Sequence, residues 1–130
     1  MGPSTARSRQ GVTFIELLTV VVIIGLLVVF ALPRLTRNKE KTIIASMQSD
    51  LRNLATAEEG NYYNTGSYSV NPVTLNITLS QGNTLTINEA TVAGWSATIT
   101  NPLTTQSCYL FHGNATPVGS ATIEGVIDCT

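Results

Sequence analysis

The sequence predicts an α+β chain. One long N-terminal helix, transmembrane in its first half and amphipathic in its second, packs on a three- or four-stranded antiparallel sheet. Three observations predict this. An apolar run near the N-terminus is long enough to cross a bilayer. A stripe of apolar residues at three- and four-residue spacing follows it. Short runs of alternating apolar and polar residues, broken by turn residues, fill the remainder. The 130 residues suffice for one small domain beside the helix.

The apolar run comes first. Over residues 17–32 every side chain is apolar or small except Thr19. With residues 12–15 added, the run reaches about 20 residues, the span of a transmembrane helix. Glu16 stands near one end and Pro33 near the other. An ionised carboxylate in hydrocarbon is costly unless it is partnered, so Glu16 needs a reason to be there. Pro33 has no N–H and crowds the carbonyl of residue 29, which loosens the helix upstream. Gly25 lowers helix propensity by about 1 kcal/mol relative to Ala. Together Gly25 and Pro33 bracket a weak stretch of the helix.

Beyond Pro33 the pattern changes. Ile44, Met47, Leu51 and Leu54 form one stripe, broadened by Ile43 and Ala55, while Arg37, Lys39, Lys41, Asp50 and Arg52 fall on the wetter faces. Gly60-Asn61 reads as the stop, ending the helix near Glu59. Residues 61–68 read as a loop whose tyrosines pin it to the helix. Residues 73–79, VTLNITL, alternate as a strand with one wet face. Gln81-Gly82-Asn83 reads as a hairpin turn into a second strand carrying Leu85 and Ile87. Trp95, Ala97 and Ile99 mark a third strand, and Tyr109 and Phe111 a fourth. Ile123 and Ile127 suggest a final strand or extended tail, interrupted at Gly125. The sheet then covers the stripe from Ile44 to Leu54, with Trp95 in the core.

Charge and chemistry-bearing residues exclude several classes. Five basic and eight acidic residues follow Gly11, a net of −3, so no basic nucleic-acid footprint is present. No phosphate-binding glycine loop or nucleophile motif occurs. His112 is the single histidine, with no cysteine or acidic cluster beside it in sequence. Glu89, Glu124 and Asp128 do not form a compact run with calcium-loop spacing. The reading therefore assigns no catalytic residue, no metal site and no cofactor. Asn76-Ile77-Thr78 and Asn114-Ala115-Thr116 match the glycan-acceptor pattern. Cys108 and Cys129 would pair in an oxidising compartment, closing a loop worth roughly 3 kcal/mol by chain entropy.

The first residues, MGPSTARSRQG, are short and basic, with Arg7 and Arg9. An ordinary secretory signal is cut after its apolar run. Here only Ala31-Leu32-Pro33 offers a small-x-small match, and the proline spoils it. The polar leader ends instead at Gly11, before the run. Arg34, Arg37, Lys39 and Lys41 follow the run, so a positive-inside count favours the leader end outside. The cysteine pair favours the opposite orientation, and the reading follows the cysteines.

Gly11 followed by Val12-Thr13-Phe14-Ile15-Glu16 resembles the class III signal of type IV pilins and pseudopilins. The resemblance is specific over residues 11–35 and looser to about Tyr68. It implies leader cleavage between Gly11 and Val12 by a prepilin peptidase, then N-methylation of Val12, where the family commonly has Phe. It implies that Glu16 aligns an incoming subunit in a helical filament of identical chains. It implies that the stretch between Gly25 and Pro33 can melt in the filament. An assembly ATPase and an inner-membrane platform are the implied partners, with lipid around the helix before assembly. The implied division is leader, residues 1–11; transmembrane and filament-core helix, 12–34; amphipathic helix, 35–60; and β domain with a C-terminal disulfide loop, 61–130. The precursor would sit in the inner membrane with its domain in the periplasm, and in an extracellular pilus once assembled. The cysteine pair and the missing calcium loop favour a pilus subunit. The alternatives are a pseudopilin of type II secretion and a membrane-anchored binding module that never polymerises.

Overall fold

The structure, a computed structural model, describes Gly2 and residues 11–130. The leader expected over residues 1–11, with Arg7 and Arg9, otherwise lies outside the described residues. The element order is α1 (Phe14–Thr65), β1 (Thr84–Ala90), β2 (Gly94–Thr100), β3 (Ser107–Gly113) and β4 (Asp128–Cys129). Contacts divide the chain into two units, Met1–Arg37 and Asn38–Thr130.

In the first unit α1 carries its apolar residues outward. Phe14 is 80% exposed and Phe30 73%, and the large apolar side chains between them are exposed as well. Pro33 lies inside the helix.

In the second unit the stripe on α1 is buried. Met47, Leu51 and Leu54 join Leu75, Trp95, Ala97, Ile99, Cys108 and Leu110 in one core, with Ile43, Ile44 and Ala55 packed against it. The four strands form an antiparallel meander in sequence order. Alternation in β2 places Trp95, Ala97 and Ile99 on the face that meets the helix stripe. Strand β1 pairs with β2 from Thr84↔Thr100 to Ala90↔Trp95, slipping one residue between Ile87 and Glu89. Strand β3 pairs with β2 along its length, from Gly94↔Gly113 to Thr100↔Ser107. The last pair of strands is short: Cys108 lies opposite Cys129, and the two form a disulfide. One long helix on a four-stranded antiparallel sheet with a C-terminal disulfide is a pilin-like fold.

Three expectations are corrected. Residues 73–79 form no strand. Pro72 cannot donate to a ladder, and Asn76 adopts φ 48°, a left-handed conformation that breaks extended chain. Successive turns replace pairing, with Thr74 N–H donating to Asn71 and Asn76 N–H to Val73 at 3.2 Å each. Leu75 is still buried, whereas Val73 is 83% exposed. Residues 81–83 are consequently not a hairpin but a turn leading into β1, closed by Asn83 N–H on Ser80.

The helix also continues past Gly60 to Thr65. The terminator is Gly66 at φ 76°, whose N–H donates to Tyr62 at 2.8 Å. Asn61, expected in a loop, is helical and caps the exit by donating to the Ser67 carbonyl at 2.8 Å. Tyr68 does pin the connector: it stacks on Tyr62 at 4.8 Å and donates to Glu59 at 3.1 Å. Tyr63, by contrast, is 90% exposed.

Asp50, expected on a wet face, is 3% exposed. It accepts hydrogen bonds from Ser80 N–H (2.8 Å), Ser80 Oγ (2.9 Å) and Asn83 Nδ2 (2.7 Å). Asn83 in turn accepts from Asn101 Nδ2 at 2.8 Å. One helical carboxylate thus fixes the irregular connector and, through Asn83, the end of β2. Asp50→Ala removes the acceptor of three donors at a half-buried site, and we expect it to cost about 2–4 kcal/mol. Urea denaturation measures this, and a loss below about 1 kcal/mol would show the network to be dispensable.

Candidate functional site

Two clusters of side chains stand out: one at the start of α1, the other where the end of α1 meets β3 and the C-terminal segment.

At the start, Thr13 is the residue before the helix and Glu16 the third within it. This is the T-x-x-E spacing of a capping box. Glu16 Oε2 accepts from both the backbone N–H and the hydroxyl of Thr13, at 2.8 Å each, and Thr13 Oγ1 accepts from Glu16 N–H at 3.4 Å. Both bonds fall on one oxygen; among the described residues Oε1 takes none. Thr13, which sequence reasoning passed over, is therefore the intrachain partner of Glu16. The signal was legible as the T-x-x-E pattern opening an apolar run.

Downstream, nothing lies within 4 Å of a methyl group placed on Gly25. Intrachain packing therefore does not require glycine there. The hydroxyl of Thr36 donates to the Pro33 carbonyl at 3.1 Å. Among the described residues α1 is the one helix long and apolar enough to cross a membrane. Burying one large apolar side chain is worth about 1.5–3 kcal/mol. Leaving the exposed residues of this segment in water would therefore cost on the order of tens of kcal/mol.

At the other cluster, His112 on β3 lies between two carboxylates. Its Nε2 is 3.5 Å from Glu59 Oε1 on α1, and its Nδ1 is 3.2 Å from Glu124 Oε1 in the C-terminal segment. Sequence reading missed this cluster because its members lie on three separate elements. The two carboxylates face opposite ring nitrogens and so do not converge on one point. Among the described residues no three His, Cys, Asp or Glu side chains form a metal site. Beside the cluster a cavity of about 310 Å³ is lined by Ala55, Glu59, Trp95, Leu110, His112 and Gly125.

Glu58, next to Glu59 on α1, is fully shielded from solvent. One oxygen accepts from Ser69 N–H at 2.9 Å, and Oε1 has no partner. Burial pushes its carboxyl above the ordinary 4.5, with Glu59 adding to the effect and the Ser69 bond opposing it. Tyr68 is pushed up to about 12, first by burial and then by its bond to Glu59.

Compared with protein-family models and with curated proteins, the sequence matches none of them.

Because the folded chain raises the Glu58 value, the stability this group contributes is fully present below pH 4.5 and is lost as pH rises through the raised value. Glu58→Gln should therefore gain on the wild type between pH 4 and pH 7 in urea melts. A stability difference that stays constant across that range would contradict the assignment.

Proposed function

We propose that this chain is a structural subunit of a type IV pilus. It is inserted in a membrane as a precursor, cut between Gly11 and Val12, and polymerised through its N-terminal helix. The observation that carries this reading is the helix surface over residues 17–32, apolar on all sides but for Thr19 and without an apolar partner among the described residues. Such a surface needs lipid or further copies of itself.

In this reading a prepilin peptidase releases a positive amine at Val12 and methylates it. The capping box keeps Glu16 Oε2 on Thr13, leaving Oε1 to receive the amine of an incoming subunit. Pairing satisfies two charges that would otherwise be desolvated alone. Gly25 and Pro33 supply the flexibility or close approach that the filament core demands. An assembly ATPase and a membrane platform drive extraction from the inner membrane, and the domain faces the periplasm before export. The C-terminal disulfide favours a pilus over a type II secretion pseudopilus.

Mass spectrometry of sheared surface fibres should find a methylated Val12 at the N-terminus. An uncut chain confined to membranes would refute the reading. Glu16→Ala should leave cleavage intact and lower fibre yield by about tenfold or more, matching a lost interaction of roughly 1.4 kcal/mol. Normal yield would remove Glu16 from assembly. Gly25→Ala should leave precursor levels and domain stability unchanged, since the added methyl meets nothing, while reducing fibre yield.

A further inference from the structure

We propose that His112 is a proton-operated latch that fastens the C-terminal segment, residues 122–127, to the end of α1. This segment belongs to no strand, and residues 122–126 are exposed. It is anchored at one end by buried Ala121 and at the other by the Cys108–Cys129 disulfide. Between those anchors few bonds tie it to the sheet. Gly125 N–H donates to the Phe111 carbonyl at 2.9 Å, and Glu124 Oε1 accepts from Gly113 N–H at 2.7 Å. The Glu124 contact with His112 is the third. A second cavity of about 380 Å³, bordered by Gln48, Arg52, Val126 and Ile127, runs under the same segment. Over residues 122–126 the segment thus borders open space, and only Ile127 packs against the core.

The chemistry of the ring decides what the latch does. A neutral imidazole carries one N–H, and its other nitrogen is an acceptor. Here both nitrogens face carboxylate oxygens, so the neutral ring can donate to only one. The other contact then sets a lone pair against an anionic oxygen. A proton taken from solvent makes both nitrogens donors, and the ring then joins Glu59 on α1 to Glu124 on the segment. The remaining titratable neighbour is Tyr68, which presents its ring edge to the imidazole at 6.0 Å and bonds Glu59. Among the described residues no Lys or Arg pairs with either carboxylate to compete. Acidification therefore closes the segment over the cavity that Trp95 lines, and alkalisation loosens it.

The full chain in detergent micelles tests this through its single tryptophan. Acrylamide quenching of Trp95 should rise about twofold from pH 5.5 to pH 8 as local opening increases. In His112→Gln it should not change with pH. In parallel, the Gly113 and Gly125 amide resonances should shift with the His112 ring signals in the wild type. Glu124→Gln keeps an acceptor for Gly113 but removes the charge, and should abolish the Gly113 response. Titration of the ring without movement of either amide would overturn the proposal. So would a pH response that survives in both variants.

Discussion

The chain is governed by one constraint: among the described residues, the apolar side chains of residues 12–35 have no apolar partner. Every large side chain there is at least half open or close to it, whereas Met47, Leu51 and Leu54 further along the same helix are fully buried. The sheet supplies a surface for one stripe on residues 43–55. It cannot cover a segment that is apolar on every side. Lipid satisfies such a surface without specificity. Copies of the same helix satisfy it with specificity, provided something fixes their register. Glu16 is the one ionisable group between Val12 and Pro33, which under the proposed function makes it the source of register.

Polar bonds to the helix then position the irregular connector of the second unit. Its core is small, and the connector from the helix to β1 contains no regular structure over residues 66–83. Backbone groups in such a segment need partners other than a ladder. Asp50 and Glu58, two turns apart on the helix face that also carries Leu54, supply them at Ser80 and Ser69. The arrangement lets a segment rich in Ser, Asn and Thr lie against the helix as firmly as a strand would. At Glu58 it comes at the cost of burying an oxygen that nothing satisfies.

The apolar helix, the stripe on its second half and strands β1 to β3 were legible because period and burial coincide there. Residues 73–79 misled because alternation alone does not make a strand. Pro72 and the left-handed Asn76 impose turns, and only Leu75 and Ile77 of that run reach the core. Gly60 misled in the opposite direction: helix contacts on both sides outweigh its propensity of about 1 kcal/mol. Asp50 looked like a surface charge because its partner Ser80 lies 30 residues away. His112 looked isolated for the same reason, with Glu59 and Glu124 arriving from different elements. Thr13 was readable from spacing alone, since the capping box is local.

Comparison of the glutamates shows how position, not residue type, assigns the role. Glu16 caps a helix start and keeps one oxygen unused. Glu58 is sealed in the core, where burial favours its neutral form. Glu59, its neighbour in sequence, points to a different face and takes a tyrosine hydroxyl and an imidazole edge. Glu124 reaches the opposite edge of that imidazole and a backbone N–H. A substitution that preserves charge but shortens the side chain would therefore act differently at each. At Glu16 it would withdraw the carboxylate from Thr13; at Glu58 it would leave Ser69 unbonded; at Glu124 it would withdraw the carboxylate from Gly113 and His112. The same carboxylate group thus caps a helix start, is buried in a core and meets an imidazole edge in one small chain, and the backbone around each site decides which.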